Sequence, residues 1–128
     1  MYAPIPALVE SVATQTIGAA IQVHRVLGPG FRERIYHAAL CIELQARGLK
    51  FEREVPVAVH YRGIAIPGQR IDLVVESCLV VELKASSRLD IAYDAQLISY
   101  LRTTGLRLGL LLNFNGPTLK DGIRRIVV

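Results

Sequence analysis

The stretch Arg70-Ile71-Asp72-Leu73-Val74-Val75-Glu76-Ser77-Cys78-Leu79-Val80-Val81-Glu82-Leu83-Lys84-Ala85 decides how the rest of the chain is read. Two runs of branched apolar residues, Ile71 to Val75 and Leu79 to Leu83, flank Glu76-Ser77-Cys78, the pattern of a β-hairpin with a short loop. Side chains alternate across a strand, so Asp72 and Val74 share one face of the first strand, and Val80, Glu82 and Lys84 share one face of the second. A three-residue loop pairs Val75 with Leu79 and sets Asp72 opposite Glu82. Opposed Cβ atoms lie ~5 Å apart, where two carboxylates repel by roughly 3 kcal/mol at an effective dielectric of ~20. The apolar flanks place both strands inside a sheet, where water screens the pair poorly. A divalent cation would remove the repulsion and use the oxygens of both acids, with Lys84 beside whatever the cation polarises. The plain alternative is a Glu82–Lys84 ion pair on a solvated strand face, with Asp72 at a strand start.

Composition narrows the class. The chain of 128 residues suits one compact domain over residues 1–128, long enough to bury about two thirds of its unfolded surface without staples. A hydrophobic share of 52% against 20% charge excludes a disordered chain. No apolar run approaches the ~20 residues of a membrane span, and the N-terminus lacks a charged region followed by an apolar core. These absences point to a cytoplasmic protein with no membrane partner. Cys41 and Cys78 are too few and too isolated for a zinc site or a disulfide framework, and read as reduced small hydrophobes. The 15 Lys and Arg against 11 acids leave a formal charge of +4, a mild basic bias compatible with a polyanionic partner.

Outward from the hairpin, periodicity predicts a helix over residues 6–27, with Leu8, Val9, Val12, Ala13, Ile17, Ala20 and Ile21 spaced by threes and fours and Gly28-Pro29-Gly30 as its stop. His24 lies on or beside that stripe, where it reads either as a satisfied buried histidine or as a ligand facing metal or phosphate. A second helix is expected from about Phe31 to Arg47. Glu33 in its first turn either complements the helix dipole or is aimed, together with Tyr36 three residues on, at the hairpin. Phe51 to His60 alternates imperfectly, and Pro56 marks an edge strand or an irregularity. Arg62-Gly63 is a turn signal, and Ile64 to Ile66 leads towards the hairpin with Pro67-Gly68 interrupting it. Asp90 to Thr104 reads as a third helix, with Ser87 or Asp90 as cap and Gly105 as terminator; Gln96 and Tyr100 stack on one of its faces. Leu106 to Phe114 is the apolar run of a strand covered on both sides, and Ile123 to Val128 a short last strand in which Arg124 and Arg125 are phosphate contacts or merely solvated. The order implies a mixed sheet with helices packed on it.

Asp72, nine intervening residues, then Glu82-Leu83-Lys84 resembles the core signature of the PD-(D/E)xK nuclease superfamily. Gly30-Phe31-Arg32-Glu33-Arg34-Ile35-Tyr36 matches the pattern that names the GxxExxY proteins, a bacterial branch of that superfamily, and Gln96-Leu97-Ile98-Ser99-Tyr100 resembles the QxxxY motif of its RecB-like branch. The three occur in the expected order; Ile71 stands where the superfamily's proline would be, and the ligands are untouched. The resemblance implies a restriction-endonuclease-like α/β fold, a mixed central β-sheet flanked by α-helices. It implies a nuclease that hydrolyses phosphodiester bonds with Mg²⁺ or Mn²⁺, acting on DNA ends or single strands. In that reading Asp72, Glu82 and the Leu83 carbonyl bind the metal, and Glu33 reaches it directly or through water. Lys84 orients the attacking water, Gln96 and Tyr100 position Lys84 or a phosphate, and His24 and Tyr36 are accessory. Two rivals stand beside it: a non-catalytic nucleic-acid-binding or partner module that keeps the fold, and hydrolysis of a smaller phosphodiester.

Overall fold

The computed structural model describes residues 3–88 and 90–128. Along the chain come α1 (Ala7–Leu27), α2 (Glu33–Ala46), β1 (Phe51–Tyr61), β2 (Ile64–Val75), β3 (Leu79–Lys84), α3 (Ile91–Thr104), β4 (Leu108–Asn113), a single 3₁₀ turn at Lys120–Gly122, and β5 (Ile123–Val127). The strands form one sheet in the order β1-β2-β3-β4-β5, with β3 and β4 parallel and the other neighbours antiparallel. A parallel pair needs a crossover, and α3 supplies it.

Burial follows strand position. Central β3 and β4 are almost wholly buried, as their unbroken apolar sequence requires. One sheet face, carrying Leu73, Val81, Leu83 and Leu110, packs on α1 and α2; the other, carrying Val74, Val80 and Leu111, packs on Leu97, Tyr100 and Leu101 of α3. The helix approaches closely because β4 carries Gly109 at the contact, where a Cβ would lie 2.8 Å from Leu97 Cδ1. The Asp90 carboxylate accepts from the Ala92 N–H at 2.9 Å and so is the cap, while Gly105 closes α3 in the left-handed conformation.

Three sequence expectations are corrected. Pro67-Gly68 does not interrupt the strand: β2 runs through it, and the disturbance is absorbed as a register shift between the pairs Val57↔Gln69 and Val59↔Ile66. Helix α2 starts at Glu33 rather than near Phe31, because the turn before it is tied down by Tyr36. Arg124 and Arg125 are neither free for phosphate nor merely solvated. Arg124 Nη2 lies 2.6 Å from Asp94 Oδ2, and Arg125 makes a two-pronged bond to Glu10 at 2.6 and 2.9 Å.

One irregularity shapes the site. Leu73 faces the α1/α2 side, yet Ile71, two residues earlier and expected on the same face, packs with the α3 cluster. The change of face falls at Asp72 and at Glu54 opposite it, between the pairs Arg53↔Leu73 and Val55↔Ile71. Glu54 has φ 50°, a left-handed conformation rare inside a strand, and there the β1–β2 ribbon turns away from the rest of the sheet. The whole is a restriction-endonuclease-like α/β fold: a mixed five-stranded sheet flanked by three helices.

Candidate active site

Strands β2 and β3 pair regularly at Val75↔Leu79, Val74↔Val80 and Leu73↔Val81. At the next step, Asp72 and Glu82, side chains take over from the ladder. The Asp72 N–H donates to Glu82 Oε1 at 3.0 Å, and the Leu83 N–H donates to Asp72 Oδ2 at 2.9 Å. Each carboxylate thus holds the main chain of the opposite strand, and the strands part between them. A strand residue's N–H and C=O point to the same side, so the Leu83 carbonyl faces the same gap.

The electrostatics are those of two acids confined together. Glu82 is only 4% exposed, and its carboxyl is pushed up to about 8, first by burial and then by the Asp72 charge; the Asp72 N–H and Lys84 pull the other way. Burial also raises Asp72, against the Leu83 N–H bond and the charges of His37 and Lys84. Glu33 stands on the rim, in the first turn of α2, and feels the charges of Lys84, Asp72, His37 and Glu54 while partial burial raises its carboxyl. Tyr100 of α3 is buried, and its hydroxyl is pushed up by burial and then by Glu82 and Asp72, which puts it beside the same pair. Gln96 lies half-buried one turn earlier on α3.

Two participants have no motif of their own in the sequence. Tyr93 places its ring under Lys84, with Nζ 4.5 Å from the centroid, a cation–π contact that fixes where the ammonium stands. Its signal was its place in the stripe Tyr93, Gln96, Tyr100 on one face of α3. His37 lies one turn after Glu33 on α2. Its Nε2–H donates to the Asp72 carbonyl at 3.1 Å, and the same nitrogen lies 3.8 Å from Glu54 Oε1.

Two candidates lie elsewhere. The His24 Nε2–H donates to the Phe114 carbonyl at 3.1 Å, and the ring packs near Phe114, so the buried histidine is satisfied within the fold. Tyr36 does not share Glu33's outlook. It is fully buried, stacks on Phe114 at 4.5 Å, donates its hydroxyl proton to the Gly28 carbonyl at 2.5 Å and accepts from the Phe31 N–H at 3.2 Å. The i, i+3 spacing leaves enough angular offset for one side chain to enter the core while the other stays on the rim. Tyr36 therefore shapes the turn that delivers Glu33.

The donor set fits a hard divalent cation. Asp72 and Glu82 each spend one oxygen on a main-chain N–H and keep the other, and carboxylates with a carbonyl are the oxygens such ions prefer. Among the described residues, no three His, Cys, Asp or Glu side chains are gathered closely enough to hold a metal by themselves. A cation here would be held chiefly by the Asp72 and Glu82 carboxylates, its other positions filled by main chain and water, as Mg²⁺ often accepts.

No helix among the described residues is long and apolar enough to cross a membrane. No curated protein matches the sequence. The solved crystal structure of SSO0001 superimposes with a TM-score of 0.51 at 20% identity, covering 94% of this chain and 61% of that one, so the likeness is one of fold and this chain spans about six tenths of that protein's length. The family model described as the PD-(D/E)XK nuclease superfamily matches residues 10–126. With that match over nearly its whole length, the chain belongs to the PD-(D/E)XK nuclease superfamily.

Proposed function

We propose that this chain is a single-domain, metal-dependent nuclease of the cytoplasm that hydrolyses phosphodiester bonds of DNA, at ends or in single strands. Superfamily membership supports a nuclease acting on nucleic acid with a divalent metal. The Gly30…Glu33…Tyr36 pattern favours the GxxExxY branch, and Gln96 with Tyr100 the RecB-like use of α3. The observation that carries the reading is the reciprocal bonding of Asp72 and Glu82 to the opposite strand's main chain. It holds two carboxylates together where an apolar hairpin would otherwise expel them.

Asp72, Glu82 and the Leu83 carbonyl would hold Mg²⁺ or Mn²⁺, with Glu33 joining directly or through water. When bound, the cation supplies Lewis-acid polarisation of the phosphodiester and acidifies a water. Lys84, held over Tyr93, orients that water and offsets charge growing on the phosphoryl oxygens; a fixed cation at such a point is worth a large rate factor. Gln96 and Tyr100 close the α3 side and position Lys84 or a phosphate.

End-labelled single- and double-stranded DNA and RNA, incubated with Mg²⁺, Mn²⁺ or chelator, test the reading. Cleavage is expected with metal, abolished by chelator, and lowered roughly 100-fold or more in Lys84→Ala. No cleavage of any substrate alongside tight binding would instead establish the rival, a binding module on a nuclease fold.

A further inference from the structure

The β1–β2 ribbon reaches past the body of the protein. Its inner half is covered, since Val55, Val57 and Ile71 pack with Leu97 and Tyr100 on the α3 side. Its outer half is bare: every residue from Ala58 to Arg70 is exposed. Val59 pairs with Ile66 and Tyr61 with Ile64. Residues paired across a ladder share a face, as do residues two apart, so these four side chains form one stripe beyond the register shift that follows Val57. They are 41%, 52%, 67% and 69% exposed, in the order Val59, Ile66, Tyr61, Ile64. A contiguous stripe of large apolar side chains contributes nothing to the core and marks a contact surface. At the tip of the arm Arg62 and Gly63 form a two-residue turn with φ of 51° and 79°, the positive values that suit the ribbon's twist.

Charge selects what lies on it. From Val55 to Ile71 there is no acidic residue, while Arg62 and Arg70 are both present. A second copy of the arm would bring like charges together with nothing to complement them, whereas a polyanion meets only attraction. The same two strands run from the tip to Glu54 and Asp72, so a strand lying along the arm is led to the carboxylates. At ~3.3 Å per residue, the ten steps from Arg62 to Asp72 span about 30 Å.

We infer that the outer face of the β1–β2 arm is a nucleic-acid docking surface, on which unpaired bases stack against Tyr61 and pack on Val59, Ile64 and Ile66 while Arg62 meets a phosphate. The inference rests on the nuclease reading for its substrate class and adds where the substrate runs. Stacking on an exposed aromatic ring is tolerant of sequence and suits a single strand.

Fluorescence anisotropy tests it, using a labelled single-stranded DNA long enough to run from tip to cleft, with chelator present. The double variant Tyr61→Ser/Ile64→Ser should bind roughly tenfold or more weakly, and Arg62→Ala should lower the slope of log K against log salt by about 0.7. All three substitutions are at exposed positions, so thermal unfolding should stay near wild type. With Mg²⁺ or Mn²⁺ both variants should raise KM for the long strand and leave hydrolysis of a nitrophenyl phosphodiester unchanged, because that small substrate does not reach the arm. Unchanged affinity in the double variant, with wild type cleaving normally, overturns the surface and leaves the nuclease reading intact. Arm-dependent binding without cleavage by wild type does the reverse. A wild-type dimer that becomes monomeric in the double variant, with affinity for DNA unaltered, assigns the stripe to a second copy and overturns the inference.

Discussion

With burial and the neighbouring Asp72 carboxylate holding Glu82 up at about 8, against its ordinary 4.5, the folded protein keeps a proton that the unfolded chain has already lost. The sign follows from linkage. Between those two values the native state binds more protons than the unfolded one, so stability falls as pH rises through the window, by at most roughly 1.4 kcal/mol per pH unit for one group, and levels off above the folded value. Metal-free protein should therefore lose melting temperature from about pH 4.5 to about pH 8. Glu82→Gln should flatten the curve, since an amide keeps the shape and some of the hydrogen bonding without the charge. Thermal melts of both proteins in chelator across that range check it; a wild-type curve that rises instead would show that Glu82 is ionised at little cost. At this scale the sequence was informative about identity: Asp72, Glu82 and Lys84 stood out because charged residues interrupt an apolar hairpin. It held no motif for His37 and only a place on a helix face for Tyr93, because their roles depend on which neighbour a fold brings to them.

At the scale of elements, the cleft exists because β2 pairs with β3 only from Leu73 to Val75, and three features hold it open. The carboxylates grip from within, left-handed Glu54 turns the β1–β2 ribbon, and α2 fastens the Asp72 main chain through His37. Partners that orient a metal ligand are commonly worth a 10–100-fold change in metal affinity. His37→Ala should accordingly weaken Mn²⁺ binding about tenfold in calorimetric titration, and His37→Asn, which can still donate from its amide, should recover part of the loss. Equal affinities in all three proteins would show that α2 is a bystander to Asp72. The hairpin, its three-residue loop and the Gly105 cap were legible because they are set by contacts a few residues apart, while the choice of Asp90 over Ser87 as the α3 cap came from the structure. The ribbon's turn at Glu54 was not, since nothing about a glutamate in an alternating strand announces φ 50°.

For the molecule as a whole, the proposed metal site lies between β2 and β3, strands that contribute residues to both cores, one beneath α1 and α2 and one beneath α3. Binding there should stabilise the chain as one cooperative unit. A ligand at a hundred times its Kd adds about 2.7 kcal/mol, which for a domain of this size raises the melting temperature by about 10 °C. Calorimetric scans with saturating Mn²⁺ should show one transition shifted by that amount in wild type and unshifted in Asp72→Asn; a split transition would mean the two cores unfold separately. What the sequence by itself determined were the order and kind of the elements and the register of the central hairpin from Val75↔Leu79 inward, because side-chain period, loop length and caps act over a few residues. Only the tertiary structure decided which groups meet across long separations: Lys84 over Tyr93, His37 on Asp72, Tyr36 turned inward on Phe114, and Arg124 and Arg125 spent on Asp94 and Glu10. Those meetings depend on how α2 and α3 seat against a twisted sheet, which is settled by the packing of whole faces and not by the spacing of residues along the chain.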